Sequence, residues 1–395
     1  MSCKLIENYE TIRRAIMAKA TANSNDPFNK QLQKLQPVIQ AETINVVCDT
    51  PNCVYKIVVK TVRQQQIDDR NGSGRVEATI AQAATKLVLD GLTPNIVLLY
   101  GARIARNRTT RSKQRTQRTN PGVVRLFYEL CQGTLKEWTL SRHSEKEWFA
   151  MLFQTIHGLM ALHQLQIMHG DFHESNILFT TINTTTSIGY KIDGKRFIIP
   201  SFGKLFKIHD FGNSYAEDQF GVHHNYKMKA NAGPATRLSP KATNHCRFRP
   251  DHDLIKLFHW MYLEKTENER QIIPNNVKDF MYDVLTDNSR SQWAIQKVDA
   301  ELDPELKTTR EFHHDFLDTD PGVSGIINKT SGNLKQLLLR IGNANFQCGI
   351  PNTPQCYPVS FDLQHPDPIR NKCHKPQTTN HKPQSQRRRR PITRR

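Results

Sequence analysis

Met168 to Phe179 reads MHGDFHESNILF. One aspartate, Asp171, and one asparagine, Asn176, stand five positions apart, and Met168 and Ile177-Leu178-Phe179 flank them with apolar residues. Directly before this stretch, EKEWFAMLFQTIHGLMALHQLQ (Glu145 to Gln166) places apolar residues on more than one helical face, which predicts a long, deeply buried helix. After it come two alternating runs, YKIDGKRFIIP and KLFKIHDFG, the first containing an Asp193-Gly194 pair suited to a tight hairpin turn. A polar loop between a buried helix and strand-like runs is a natural place for side-chain chemistry.

The rest of the chain divides around that point. The first thirty residues are polar after a short helical start. KLQPVIQ, ETINVVC and CVYKIVVK are short, rich in valine and isoleucine, and separated by turn residues such as DTPN, which predicts strands. NGSG (Asn71 to Gly74) predicts a turn, and VEATIAQAATKLVL a helix. NIVLLYGARI and VVRLFYEL predict two more strands. Further helices are expected at DLIKLFHWMYLEK, NNVKDFMYDVL and GNLKQLLLRI. From about Cys348 onward proline, histidine, glutamine and arginine dominate, and disorder is expected. Strands with a single helix thus come first and a mostly helical part second. A cleft between two such parts would suit a nucleotide.

Composition narrows the classes. A chain of 395 residues, 37% hydrophobic, has room for one large two-part domain and a tail. No apolar run approaches the length of a membrane span, and MSCKLIENYETIRRA lacks the apolar segment of a secretory signal, so an intracellular protein is expected. The eight cysteines form no CxxC pair. Cys48 with Cys53, and Cys348, Cys356 and Cys373 near His365 and His374, are too loosely spaced for a typical zinc site; free thiols are the expectation. The net charge of +18 is concentrated in RIARNRTTRSKQRTQR (Arg103 to Arg118) and in a tail ending QRRRRPITRR. Without interleaved aromatics these blocks do not form a base-stacking surface, but they would attract phosphate backbones or acidic proteins. The Arg387 to Arg395 tail also fits a nuclear-import address.

Phosphoryl transfer from ATP needs positioning, metal ions and a carboxylate near the attacking hydroxyl. Asp171 is the candidate base, Asn176 could offer an amide oxygen to Mg2+, and Asp210 of His-Asp-Phe-Gly the main metal carboxylate. His-x-Asp-x-x-x-x-Asn alone should arise by chance in roughly one chain in twenty of this length, and with Asp-Phe-Gly shortly after in roughly one in a few thousand.

These motifs resemble the protein-kinase family over about residues 34–263. The resemblance implies an α+β, two-lobed fold: an extension over 1–30, a small β-rich N-lobe with one main helix over 31–131 carrying the basic insertion at 103–118, a mostly helical C-lobe over 132–345, and a basic tail over 346–395. It implies Lys60 of IVVK as the phosphate-holding lysine and Glu77 as its partner. It also implies TPNIV (Thr93 to Val97) as the segment leading into the next strand, and FYELCQGTL as a hinge whose backbone around Glu129 to Cys131 binds adenine. ATP and Mg2+ are the implied cofactors and a protein the implied substrate.

Three departures qualify the resemblance. No glycine lies between Asn29 and Val59, so the glycine-rich loop over the phosphates is missing. Gly170 stands where many protein kinases carry an arginine that grips a phosphorylated loop, and no Ala-Pro-Glu follows. His173 stands where serine/threonine kinases carry lysine, a form seen in aminoglycoside- and choline-type kinases. The stretched hairpin before His-Asp-Phe-Gly instead resembles protein kinases of large DNA viruses of eukaryotes, which implies a host cytoplasm or nucleus as the setting. Asp251 or Asp253 could brace the loop or merely cap a helix. A serine/threonine protein kinase, a small-molecule kinase and a partner-binding pseudokinase all remain open at this level.

Overall fold

The computed structural model describes residues 2–21, 32, 41–47, 54–63, 73–105, 123–216, 252–263, 265–286, 333–346 and 360–362. The expected strand KLQPVIQ, Cys48 and Cys53, most of the basic insertion, Asp251, the segment after Ala216, the cysteine-histidine group at 348–374 and the arginine tail lie outside them.

The first sheet grows from the β-branched runs. β1 (Ala41–Val47), β2 (Val54–Arg63), β3 (Leu99–Ala105) and β4 (Val123–Glu129) form an antiparallel sheet in the order β1-β2-β4-β3. Ile57 and Val59 lie on one face of β2 and are fully buried, while Lys56 and Val58 on the other face are more accessible. Helix α1 (Ser2–Thr21) and helix α2 (Ser73–Leu89) both pack against this sheet. Residues 2–21 are therefore no loose extension. Tyr9, Ile12, Ile16 and Ala20 form a buried stripe, and the Tyr9 hydroxyl donates to Leu99 O at 3.1 Å. The helix that follows NGSG begins at Ser73, so the latter half of that expected turn is already helical.

The second part holds more strand than the sequence suggests. β5 (Gly133–Thr134) leads into helix α3 (Leu135–Trp138), and helix α4 spans Glu145–Gln164. Both helices begin with reciprocal capping boxes, Thr134 with Glu137 and Ser144 with Glu147, each of which contributes about 1 kcal/mol. Every residue of α4 from Trp148 to Leu159 is buried, as its lack of a polar face demands. Around it lie β6 (Ile167–Met168), β7 (Ile177–Thr181), β8 (Ser187–Ile192), β9 (Lys195–Pro200), β10 (Lys204–Ile208) and β11 (Tyr215–Ala216). β7 pairs with β5 and β10, β6 with β11, and β8 with β9 across the expected Asp193-Gly194 turn, Ile192 facing Lys195.

The DLIKLFHWMYLEK segment is α-helical only as α5 (His252–Phe258); His259–Leu263 continues as a π turn. Helices α6 (Glu267–Gln271), α7 (Asn275–Thr286) and α8 (Asn333–Asn345) complete the helical side. Within the segment expected to be disordered, β12 (Ser360–Asp362) pairs parallel with β8. The described residues are thus mixed α+β with mainly antiparallel sheets, and nearly all their buried apolar side chains belong to one core. Among the described residues no helix is long and apolar enough to cross a membrane.

The Thr93–Val97 segment ties the first sheet to α4 and β10. Asn95 is fully buried; its amide donates to Phe206 O at 2.8 Å, and its oxygen accepts from the Tyr190 hydroxyl at 3.0 Å. Thr93 Oγ1 lies 3.2 Å from Nδ1 of buried His157.

Burial lowers the His157 pKa from 6.5 to about 3. Between those values the unfolded chain binds a proton that the folded chain refuses, so stability is full above 6.5 and falls as the pH drops toward 3. This one imidazole should cost up to about 1.4 kcal/mol per pH unit in that window. Melting curves from pH 7 to 5 should show the decline, and His157→Gln should lessen it, the buried His209 contributing the remainder in the same direction. Replacing Ile16, fully buried under β3, by alanine should cost about 2–5 kcal/mol in urea unfolding. A neutral effect would show that α1 is dispensable.

Candidate active site

Strand β2 carries Lys60 inward and helix α2 brings Glu77 to meet it. Lys60 Nζ donates to Glu77 Oε1 at 2.9 Å and to Asp210 Oδ1 at 2.6 Å. Glu77 and Lys60 are 1% and 8% exposed, so these charges interact largely outside water. Burial works against the Lys60 ammonium, yet Glu77 and Asp210 together raise its pKa above the ordinary value. Burial is also the largest influence on Glu77 and pushes its pKa up, with Lys60 pulling the other way. Asp210 is likewise desolvated, but Lys60, His209 and the Gly212 amide hold its carboxyl well below the usual range. The Tyr128 hydroxyl adds a bond to Glu77 Oε1 at 3.1 Å.

Asp210 sits in the left-handed backbone region, φ 66°, ψ 77°. Such a conformation in a residue other than glycine costs of order 1–3 kcal/mol and persists where surrounding contacts over-determine it. Here they do: Oδ1 accepts from Lys60 and from Gly212 N at 3.1 Å. A side chain at Gly212 would not fit, because its Cβ would lie 2.9 Å from that same carboxylate oxygen.

MHGDFHESNILF runs from β6 into β7 and is pinned from three sides. His169 N and Gly170 N donate to the two oxygens of fully buried Asp253, at 2.7 and 2.8 Å. His169 Nε2 lies 2.8 Å from His209 O, and His209 N donates to Asn176 O at 2.9 Å, which joins the loop to the Asp210 segment. Ser214 Oγ donates to His169 O. Gly170 has φ +74°, which explains a glycine there: an L side chain would be strained. Of the two bracing candidates, Asp253 is the one the structure supports.

Asp171 is half-buried, and each of its oxygens has a partner. Oδ1 faces Lys256 Nζ at 2.8 Å, and Oδ2 accepts from Asn213 Nδ2 at 2.9 Å. Burial raises its pKa, but Lys256, His173 and Asn213 outweigh it and leave the carboxyl below its usual value. His173 Nε2 stands 3.8 Å from Oδ2; burial lowers its pKa and favours the neutral ring, whose Nδ1 accepts from Ser175 N at 3.3 Å. Asn176 Nδ2 donates to Asp171 O at 2.8 Å and lies 3.1 Å from His173 Nε2, which turns the amide oxygen to the other side.

The sequence-selected residues thus gather into two linked centres, Lys60-Glu77-Asp210 and Asp171-Asn176. Glu129 and Cys131 differ. The Glu129 carboxylate is taken by Lys207 and by Leu98 N, so only its backbone could meet a ligand. Burial pushes the Cys131 thiol up to about 11, and Thr180 Oγ1 contacts its sulfur at 3.7 Å. The backbone at Leu130-Cys131 lies between the β4 ladder and the Gln132 N to Phe179 O bond.

No family model and no curated protein matches the chain.

Lys256, Asn213 and Tyr128 were not singled out by the sequence. For Lys256 a signal existed: it lies three residues beyond Asp253, hence one turn along the same helix. Among the described residues no group of three or more His, Cys, Asp or Glu could hold a metal by itself. The oxygens of Asn176 and Asp210 fit a different case, Mg2+ shared with phosphate oxygens. Removing Asp253 would orphan two buried amides. Asp253→Ala should therefore lower stability by about 3–5 kcal/mol in urea unfolding.

Proposed function

We propose that the chain is a protein kinase-like phosphotransferase that moves the ATP γ-phosphate to a protein serine or threonine hydroxyl. The observation that carries this reading is the placement of Lys60, joined to both Glu77 and Asp210, next to a loop that holds Asp171 and Asn176 through the His169–His209 backbone contacts. Surface Lys–Glu couples contribute little and need no burial; this one is buried and shared between strand, helix and loop.

On this reading the four-stranded sheet with α2 is the small lobe and the remainder the large one, and nucleotide lies between them. ATP supplies the phosphoryl group and Mg2+ its charge shielding when bound. Lys60 would hold phosphate oxygens, with Glu77 and Tyr128 fixing its position. Asp210 and Asn176 would present oxygens to the metal. The backbone of Glu129 to Cys131 would face adenine. Asp171 would orient the acceptor hydroxyl and take its proton. Where the sequence lacks a glycine-rich loop, Lys60 and the metal ligands would carry more of the phosphate binding.

The rival within the same fold is a kinase for cationic small molecules. The ammonium of Lys256 in contact with Asp171 argues against it, because it would repel a positively charged acceptor at the reacting oxygen. A protein hydroxyl is neutral and meets no such penalty. The resemblance of the stretched hairpin to kinases of large DNA viruses supports a viral setting.

Incubation with labelled ATP, Mg2+ and generic acidic or basic proteins should label protein. Asp171→Asn should lower that labelling by roughly a hundredfold or more while melting near the wild-type temperature. Transfer only to an added aminoalcohol or sugar would favour the small-molecule kinase. No thermal stabilisation by millimolar Mg-ATP, and no labelling, would favour a pseudokinase.

A further inference from the structure

Resting on that reading, one lysine outside the loop acquires a role. Lys256 lies on α5, one turn after Asp253, and its ammonium touches the loop twice: Asp171 Oδ1 at 2.8 Å and Gly170 O at 3.2 Å. Its side chain is 22% exposed, so it is neither a solvated surface lysine nor a sealed core ion. The other buried or half-buried lysines around the site are committed elsewhere: Lys60 to Glu77 and Asp210, Lys207 to Glu129, Lys265 to Glu174. His173, the loop residue nearest the other Asp171 oxygen, stands 3.8 Å away and uses its Nδ1 to accept from Ser175 N. The loop thus has no charged lysine of its own, and α5 brings one to the carboxylate.

We propose that Lys256 is a positioning residue of the transfer step, fixing the Asp171 rotamer and placing a positive charge where acceptor hydroxyl and phosphoryl group meet. In that step a bond forms between the acceptor oxygen and Pγ as the bond from Pγ to the β–γ bridging oxygen breaks. The leaving ADP keeps the electron pair, and the acceptor proton passes to Asp171. Negative charge spread over the transferring group is stabilised by a fixed cation in a partly desolvated site. The same cation holds Asp171 Oδ1 while Asn213 holds Oδ2, so the carboxylate is fixed from both sides. Because Asp253 and Lys256 share one short helix, loop brace and loop charge arrive together.

The tests use the full chain. Lys256→Gln keeps a donor and removes the charge; it should lower kcat by roughly thirtyfold or more while the KM for ATP stays within about threefold. Adding His173→Lys to that variant returns a cation to the loop and should recover at least about tenfold of the lost rate. Lys256→Arg should retain more than roughly a tenth of wild-type kcat. Without any nucleotide, the urea midpoints of Lys256→Gln, Asp171→Asn and the double variant should be non-additive, because the two groups bond each other.

A Lys256→Gln enzyme with wild-type kcat, a Lys256→Gln/His173→Lys enzyme no faster than Lys256→Gln although His173→Lys alone keeps wild-type kcat, or additive urea midpoints would each overturn the proposal. If Lys256→Gln does not fold, Lys256→Arg decides: a loss as large as that of Asp171→Asn overturns it. Absence of labelling by the wild type would instead fail the kinase reading itself. Labelling that is lost in Asp171→Asn but unchanged in Lys256→Gln would fail only the role of Lys256.

Discussion

Three charges meet where the first sheet, α2 and the segment after β10 converge: buried Lys60 and Glu77, and half-buried Asp210. Taking Lys60 and Glu77 out of water costs several kcal/mol per ion, and attraction among the three offsets this only because the contacts are short and Tyr128 and Gly212 fill further hydrogen-bonding positions. Apolar side chains of similar volume would hold the same elements together at least as well. The arrangement therefore makes poor sense as a stability device alone. On the proposed reading it is a charged cluster kept for nucleotide and metal, with the strained backbone of Asp210 as part of the cost.

The second centre is built differently. Asp171 and Asn176 belong to one loop, and the loop's shape is set from outside by Asp253 and by the His169–His209 contacts. The two unusual letters of the loop then have local explanations. Gly170 relieves a left-handed backbone, and His173 caps the 3-10 turn that presents Asn176. Neither by itself specifies an acceptor. The charge beside Asp171 comes from another helix, and on the proposed reading it is what bears on the acceptor.

Much of this was legible in the sequence, and the exceptions share a cause. Alternating valine and isoleucine marked β1 and β2, the unbroken apolar face marked α4, and Asp193-Gly194 marked a hairpin, because each signal is local. Asp171, Asn176 and Asp210 were chosen from short motifs, and Lys60 and Glu77 from the resemblance those motifs carry. What the sequence concealed depends on distant pairing. The burial of α1 needs β3, β12 needs β8, and the contact between Lys256 and Asp171 joins residues 85 positions apart. The extra strands β5, β6 and β11 are two residues long each, too short for periodicity to announce.

The docking of α1 has a consequence for biosynthesis. Tyr9 and its hydrogen-bond acceptor Leu99 are 90 residues apart. At typical translation rates that interval takes roughly 5–18 s. During those seconds the stripe of Tyr9, Ile12, Ile16 and Ala20 lacks β3, the strand it packs against most. A nascent chain in this state offers an amphipathic helix to chaperones or to neighbouring chains, and the first sheet closes over it only when β3 has left the ribosome.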